Sequence, residues 1–232
     1  MCLSDLIKCK MIKKVKKYIY KFKYSLMFIK YLYLHYKYRN FTMIPLNFFI
    51  GNLKICYRYR KLSGVIVECG VWKGGMIAAI SEIIKDNKYY LFDSFEGLPK
   101  AKEIDGKAAI KWQINKQSKL YFDNCKASVN DAEIAMKLAK AKDYEIQKGW
   151  FKDTLYKFNE KIAVLRLDGD WYESTTECLE NLFDKVVKGG VIIIDDYYTW
   201  DGCSRAVHDY LSKNNLANKI FASPEGVCYI IK

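Results

Sequence analysis

The chain has 232 residues, 51 % of them apolar, a formal net charge of +13 and eight cysteines. That length suits one α/β catalytic domain with a sizeable core plus an appendage. The charge is uneven: residues 1–61 hold 15 Lys/Arg against the single acid Asp5, whereas residues 62–232 hold 24 against 25 Asp/Glu. The basicity therefore belongs to an N-terminal arm, and a nucleic-acid-binding domain is disfavoured. The cysteines are scattered and form no C-x-x-C pair, which argues against a secreted disulfide scaffold and for a reducing cytoplasm.

The arm, residues 1–61, carries 14 Phe/Tyr, many Lys and one Pro, and reads as one or two basic aromatic helices. It lacks the uncharged run and small-residue cleavage site of a signal peptide. From Ile19 to Tyr38, Lys21, Lys23, Lys30 and Lys37 interrupt the apolar texture well short of the roughly 20 residues a bilayer span needs. Such an arm can pack on its own domain or on a second subunit as a homodimer, lie on the inner face of an anionic membrane, or close over the active site.

A domain over 62–232 follows, in which short β-branched runs alternate with helical stretches. Strands are predicted over Val65–Glu68, Tyr89–Phe92, Tyr144–Gln147, Ile162–Leu167 and Val191–Ile194, with helices over Gly74–Ile84, Asp131–Lys142, Thr175–Val187 and Cys203–Leu211. Strands that are apolar throughout and separated by helices indicate a parallel sheet covered on both faces. Ile220–Phe221 and Val227–Ile231, parted by Ser223-Pro224-Glu225-Gly226, are too close for a crossover and close the sheet as an antiparallel hairpin. The expected architecture is a Rossmann-like α/β fold with a mostly parallel seven-stranded sheet.

Ligands of such sheets bind beyond the carboxyl ends of the strands. The first strand ends in Glu68-Cys69-Gly70-Val71-Trp72-Lys73-Gly74-Gly75, where Gly70 permits a tight turn and Gly74 and Gly75 permit close approach of a ligand. Asp93 ends the second strand and can accept hydrogen bonds from both hydroxyls of an adenosine ribose. That pair suits NAD and S-adenosylmethionine alike, although the spacing departs from G-x-G-x-x-G. The fourth strand ends in Asp168-Gly169-Asp170 and the fifth in Asp195-Asp196. Four converging carboxylates are costly unless a cation or proton intervenes, and an all-oxygen set suits Mg²⁺. The blander reading makes Asp195 or Asp196 a helix cap. With Asp168, Asp195 and Asp196 as metal ligands, Asp170 is the candidate general base toward a hydroxyl. His208 and His35 read as structural, and the role of Gly149–Thr154 stays open.

Four blocks, Glu68–Gly75, Leu91–Pro99, Leu165–Thr175 and Gly189–Tyr197, occur in an order that resembles the macrocin O-methyltransferase family, whose members methylate sugar hydroxyls of macrolides and related antibiotics. The resemblance spans roughly Leu62–Leu211. It implies a class I methyltransferase fold, S-adenosylmethionine as methyl donor and Mg²⁺ at the acidic cluster. Glu68, Gly70, Gly74, Asp93 and Ser94 then fall in the cofactor blocks, Asp168, Asp195 and Asp196 in the metal blocks, and Asp170 in the position of the base. The acceptor it implies is a sugar-bearing small molecule or glycan. Two rivals are a nicotinamide-dependent oxidoreductase, which leaves the four Asp unexplained, and a non-catalytic membrane- or nucleic-acid-binding module built on the arm.

Overall fold

The computed structural model describes residues 25–232, so residues 1–24 of the arm lie outside the described residues. Seven strands form one sheet in the order β3-β2-β1-β4-β5-β7-β6. They are β1 Val65–Cys69, β2 Tyr89–Asp93, β3 Tyr144–Lys148, β4 Ile162–Leu167, β5 Val186–Ile194, β6 Ile220–Ala222 and β7 Cys228–Ile231. The first five pair in parallel, β7 runs antiparallel to β5, and β6 closes antiparallel on β7. This is the expected Rossmann-like arrangement with its terminal hairpin.

Side-chain alternation along the central strands explains their unbroken apolar runs. In β1, Val65, Val67 and Cys69 enter one core cluster while Ile66 enters the other; in β5, Ile192 and Ile194 face the first and Val191 and Ile193 the second. The first cluster is covered by the helices Tyr172–Leu182 and Asp201–Lys213. The second is covered by Gly75–Ile83, Val129–Ala139, Leu46–Tyr59 and a helix over residues 25–38. Leu34, Tyr38, Phe49 and Leu53 are fully buried, so the described part of the arm shares the main core. The same alternation aims Glu68, Arg166 and Asp195 at that face, where they continue the rows of Ile66, Val164 and Ile193.

The structure moves several predicted boundaries. The helix expected over Thr175–Val187 spans Tyr172–Leu182, and β5 begins at Val186 rather than Val191 because its first residues pair with β4 before a register shift. The helix expected over Asp131–Lys142 begins at Val129, capped by reciprocal Ser128 and Asp131 bonds, and ends at Lys140 in a left-handed conformation. The helix expected over Cys203–Leu211 extends to Asp201–Lys213. The polar stretch between β2 and Ser128 contains a helix, Gly106–Ile114, and a turn, Phe122–Cys125, with four successive residues at positive φ.

Candidate active site

A cavity of about 350 Å³ lies at the carboxyl ends of the parallel strands. Its floor is made by the turn after β1, its polar wall by the ends of β4 and β5, and its apolar wall by Phe41–Pro45 and Phe48, which join and begin the two helices of the arm. Of the nine candidate residues, Glu68, Gly70, Asp93, Ser94, Asp168, Asp170, Asp195 and Asp196 line it; Gly74 is not among the lining residues.

Gly70 sits at φ +86°, and a Cβ there would stand 1.8 Å from the carbonyl oxygen of Asp168. Only glycine therefore lets the β1 turn lie against β4. Gly74, also at positive φ, is needed for a different contact: a Cβ would meet Ala132 of the neighbouring helix at 3.0 Å. Asp93 shapes the turn directly. Its Oδ2 accepts from the backbone N–H of Val71 (2.7 Å) and Trp72 (2.8 Å), and its Oδ1 from Phe95 (2.7 Å). Three of the roughly four acceptor positions of a carboxylate are thus taken, leaving about one for a ligand. Burial pushes Asp93 above the usual carboxylate range, and those three N–H groups oppose it. The Ser94 hydroxyl is likewise engaged in its own loop, donating to the carbonyl of Gly97 and accepting from the N–H of Glu96.

The acidic wall is organised by Arg166, which is 1 % exposed. Its Nη1 donates to Glu68 Oε1 (2.5 Å) and Asp168 Oδ2 (2.8 Å), its Nη2 pairs with Asp195 Oδ1 (2.7 Å), and its Nε donates to Asn52 Oδ1 (2.9 Å). Asn52 also donates to Asp195 Oδ1 at 3.1 Å, tying the arm helix to β5. Neither Arg166 nor Asn52 was among the candidates from sequence. The available signal was a lone charge inside the apolar run Ile162-Ala163-Val164-Leu165-Arg166-Leu167, since a buried charge requires partners.

Ligand oxygens of Asp168, Asp195 and Asp196 lie within 4.8 Å of one another. Each of the three uses one oxygen on the scaffold: Asp168 and Asp195 on Arg166, and Asp196 on the backbone N–H of Asp170 at 3.1 Å. Asp170 sits at φ +59°, and its Oδ1 accepts from the indole N–H of Trp200 at 2.8 Å. Trp200 packs edge-on against Trp171 and Trp112, which fixes that donor. Burial pushes Asp168 up to about 6, with Arg166 opposing and Asp195 adding to it. Burial and then Asp168 push Asp170 up to about 8, and burial and Asp170 raise Asp196. Glu68 also rises to about 8 through burial, against the pull of Arg166, and its Oε2 is buried without a hydrogen-bond partner. One guanidinium thus faces three of five clustered carboxyl groups, so the excess negative charge favours a proton or cation in the cavity. The oxygen-only donor set fits a hard divalent ion.

His208 bonds the Tyr197 hydroxyl at 2.8 Å and His35 lies against Phe49; neither lines the cavity. Gly149–Thr154 contributes Trp150 and Phe151 to the lining.

The sequence profile described as macrocin O-methyltransferase matches residues 51–229. An 8-demethyl-8-(2,3-dimethoxy-alpha-L-rhamnosyl)-tetracenomycin-C 4'-O-methyltransferase of Streptomyces olivaceus is 33 % identical over 184 residues, covering 74 % of this chain and 68 % of the relative. A demethyldecarbamoylnovobiocin O-methyltransferase of Streptomyces niveus is 35 % identical over 173 residues, covering 69 % and 63 %. The chain thus spans about two thirds of the length of these relatives. Among solved structures, the O-methyltransferase NovP superposes with a TM-score of 0.69 at 28 % identity, over 83 % of this chain and 82 % of that one. The calicheamicin methyltransferase CalS11 shares the fold, with a TM-score of 0.60 at 17 % identity over 87 % and 91 %. Neither the oxidoreductase nor the binding-module reading is favoured by these matches. By profile, sequence relatives and fold together, the chain belongs to the macrocin O-methyltransferase family and is an S-adenosylmethionine-dependent O-methyltransferase.

Proposed function

We propose that the protein methylates a sugar hydroxyl on a glycosylated small molecule, nucleotide sugar or glycan, with Mg²⁺ held by Asp168, Asp195 and Asp196. The observation that carries this reading is the acidic cluster at the ends of β4 and β5, where each of the three Asp is anchored through one oxygen and Asp170 stands beside them. The names of the relatives, which refer to rhamnosyl tetracenomycin and novobiocin compounds, support a glycosidic acceptor.

When bound, Mg²⁺ supplies Lewis acidity that lowers the pKa of an alcohol and orients it. Arg166 holds Asp168 and Asp195 in place and offsets part of their charge before any ion arrives. Asp170 takes the proton that the acceptor hydroxyl loses as its oxygen bonds to the methyl carbon and the carbon–sulfur bond breaks. The Trp200 indole donates to one Asp170 oxygen, which orients the carboxyl group. On the donor side, Gly70 and the turn held by Asp93 and Ser94 would form the cofactor bed, and Glu68, whose Oε2 has no hydrogen-bond partner, would supply an acceptor to it. Asp93 keeps about one acceptor position for a ribose hydroxyl. Gly74 supports this bed from behind through its contact with Ala132. The six described cysteines are all free, in keeping with a cytoplasmic enzyme.

The reading is tested by incubating the enzyme and S-adenosylmethionine with a panel of glycosides and nucleotide sugars and following methylated products by mass spectrometry. Methylation of a sugar hydroxyl that stops on chelation and returns with Mg²⁺ is the expected result. Transfer that ignores chelation, or that occurs only on acceptors without a sugar, contradicts it.

A further inference from the structure

The helix over residues 25–38 is apolar on both sides. Its inward face buries Tyr31, Leu34 and Tyr38 in the main core. Its outward face presents Leu26, Phe28, Ile29, Leu32, Tyr33 and Tyr36, of which Ile29, Tyr33 and Tyr36 are 61 %, 57 % and 64 % exposed. Both lysines of the helix are turned inward: Lys37 pairs with Glu82 at 2.6 Å, and Lys30 donates to the carbonyl oxygen of Glu82 at 3.0 Å. The outward half therefore carries no charge until Arg39, whose guanidinium lies over the Tyr36 ring at 4.1 Å. A surface helix ordinarily shows a polar outer face, and a contiguous exposed apolar patch marks an interaction surface.

We propose that this face docks the enzyme on the surface of an anionic lipid bilayer. The argument for that occupant is charge. Residues 1–24 carry eight lysines against Asp5, and residues 25–61 carry seven further cations and no acid. A second copy seated on the same face would bring two such arms together, with like charges opposed. An anionic bilayer is complementary to them, and each Lys or Arg near such a surface adds to the attraction. Tyrosine and phenylalanine suit the boundary between headgroups and acyl chains, and an apolar face joined to a basic segment provides the two attachments that stable peripheral binding requires. Among the described residues no helix is long and apolar enough to cross a membrane, so the helix lies on the surface rather than through it. It leads within three residues into Phe41, where the cavity wall begins.

The test is flotation of the full chain with vesicles of phosphatidylcholine alone and of phosphatidylcholine with phosphatidylglycerol, at low and high salt. Ile29→Glu/Tyr33→Glu is compared in parallel, with calorimetric S-adenosylmethionine binding as the check that the double variant is folded. The expected result is binding to the anionic vesicles only, weakened by salt, and weakened at least about tenfold by the double substitution while cofactor binding is kept. No binding to anionic vesicles overturns the proposal, as does binding that the double substitution leaves unchanged. A vesicle-free dimer that the same substitutions split, seen by sedimentation, also overturns it and names a second copy as the occupant.

Discussion

Replacing Arg166 by methionine lowers the unfolding free energy by about 3–5 kcal/mol, the range seen when one partner of a buried ion pair is removed. The size follows from the geometry. Arg166 is 1 % exposed and forms ion pairs with Glu68, Asp168 and Asp195, so the variant leaves three carboxyl groups in one low-dielectric corner with no cation among them. Methionine fills much of the volume, which confines the loss to electrostatics. Without the guanidinium the folded-state pKa values of Glu68 and Asp168 rise further above their unfolded values. The deficit is therefore fully developed only above these raised folded-state values, at mildly alkaline pH, and shrinks as the pH falls and Glu68 and then Asp168 protonate. Urea unfolding of both proteins at mildly alkaline and mildly acidic pH reads this. A loss below about 1 kcal/mol at mildly alkaline pH would mean that the carboxyl groups are otherwise compensated in the folded chain.

Replacing Asp170 by asparagine leaves the fold and S-adenosylmethionine affinity nearly intact while turnover falls by about a hundredfold to ten-thousandfold, the usual contribution of a general base. The fold survives because Asp170 sits at φ +59°, a region that asparagine adopts as readily as aspartate, and because the asparagine carbonyl still accepts from the Trp200 indole. What is lost is the proposed proton acceptor beside the acidic cluster. Single-turnover methyl transfer, with cofactor binding measured separately, distinguishes this from a folding defect. A fully active variant would take the role of base away from Asp170.

Much of the fold was legible because it follows from simple repeats. Parallel strands buried on both faces read as unbroken apolar runs, and the tight spacing of β6 and β7 left only an antiparallel pairing. The start of β5 was hidden because Lys188-Gly189-Gly190 looks like a loop, yet Val186 pairs with Ile162 before the register shift. The stretch between β2 and Ser128 has no clear periodicity. Its local structure depends on contacts remote in sequence, such as the clamp of Asn124 on Leu98, where the amide donates to the carbonyl at 2.7 Å.

The site divides the same way. Its acids were legible because strand ends mark the ligand side of the sheet, and the aspartates fall where those ends meet. Their partners were not. Asn52 is 114 residues from Arg166, and nothing local to either predicts their 2.9 Å hydrogen bond. The apolar wall supplied by Phe41–Pro45 depends on how the arm folds back over the β1 turn, where the carbonyl of Phe41 accepts from Gly75 N–H at 2.9 Å. Asp93 shows how a motif residue can acquire a second task. The spacing points to a ribose ligand, and only the fold reveals that most of its capacity holds the turn.

The central claim, a divalent ion on the β4 and β5 carboxylates, is tested most directly by calorimetric titration of Mg²⁺ into the metal-free enzyme and into Asp195→Asn, each with S-adenosylmethionine present. The account predicts one saturable Mg²⁺ site in the parent protein that the substitution removes while cofactor binding persists. A parent protein that binds the cofactor but no Mg²⁺, or a variant that binds Mg²⁺ as the parent does, would contradict it.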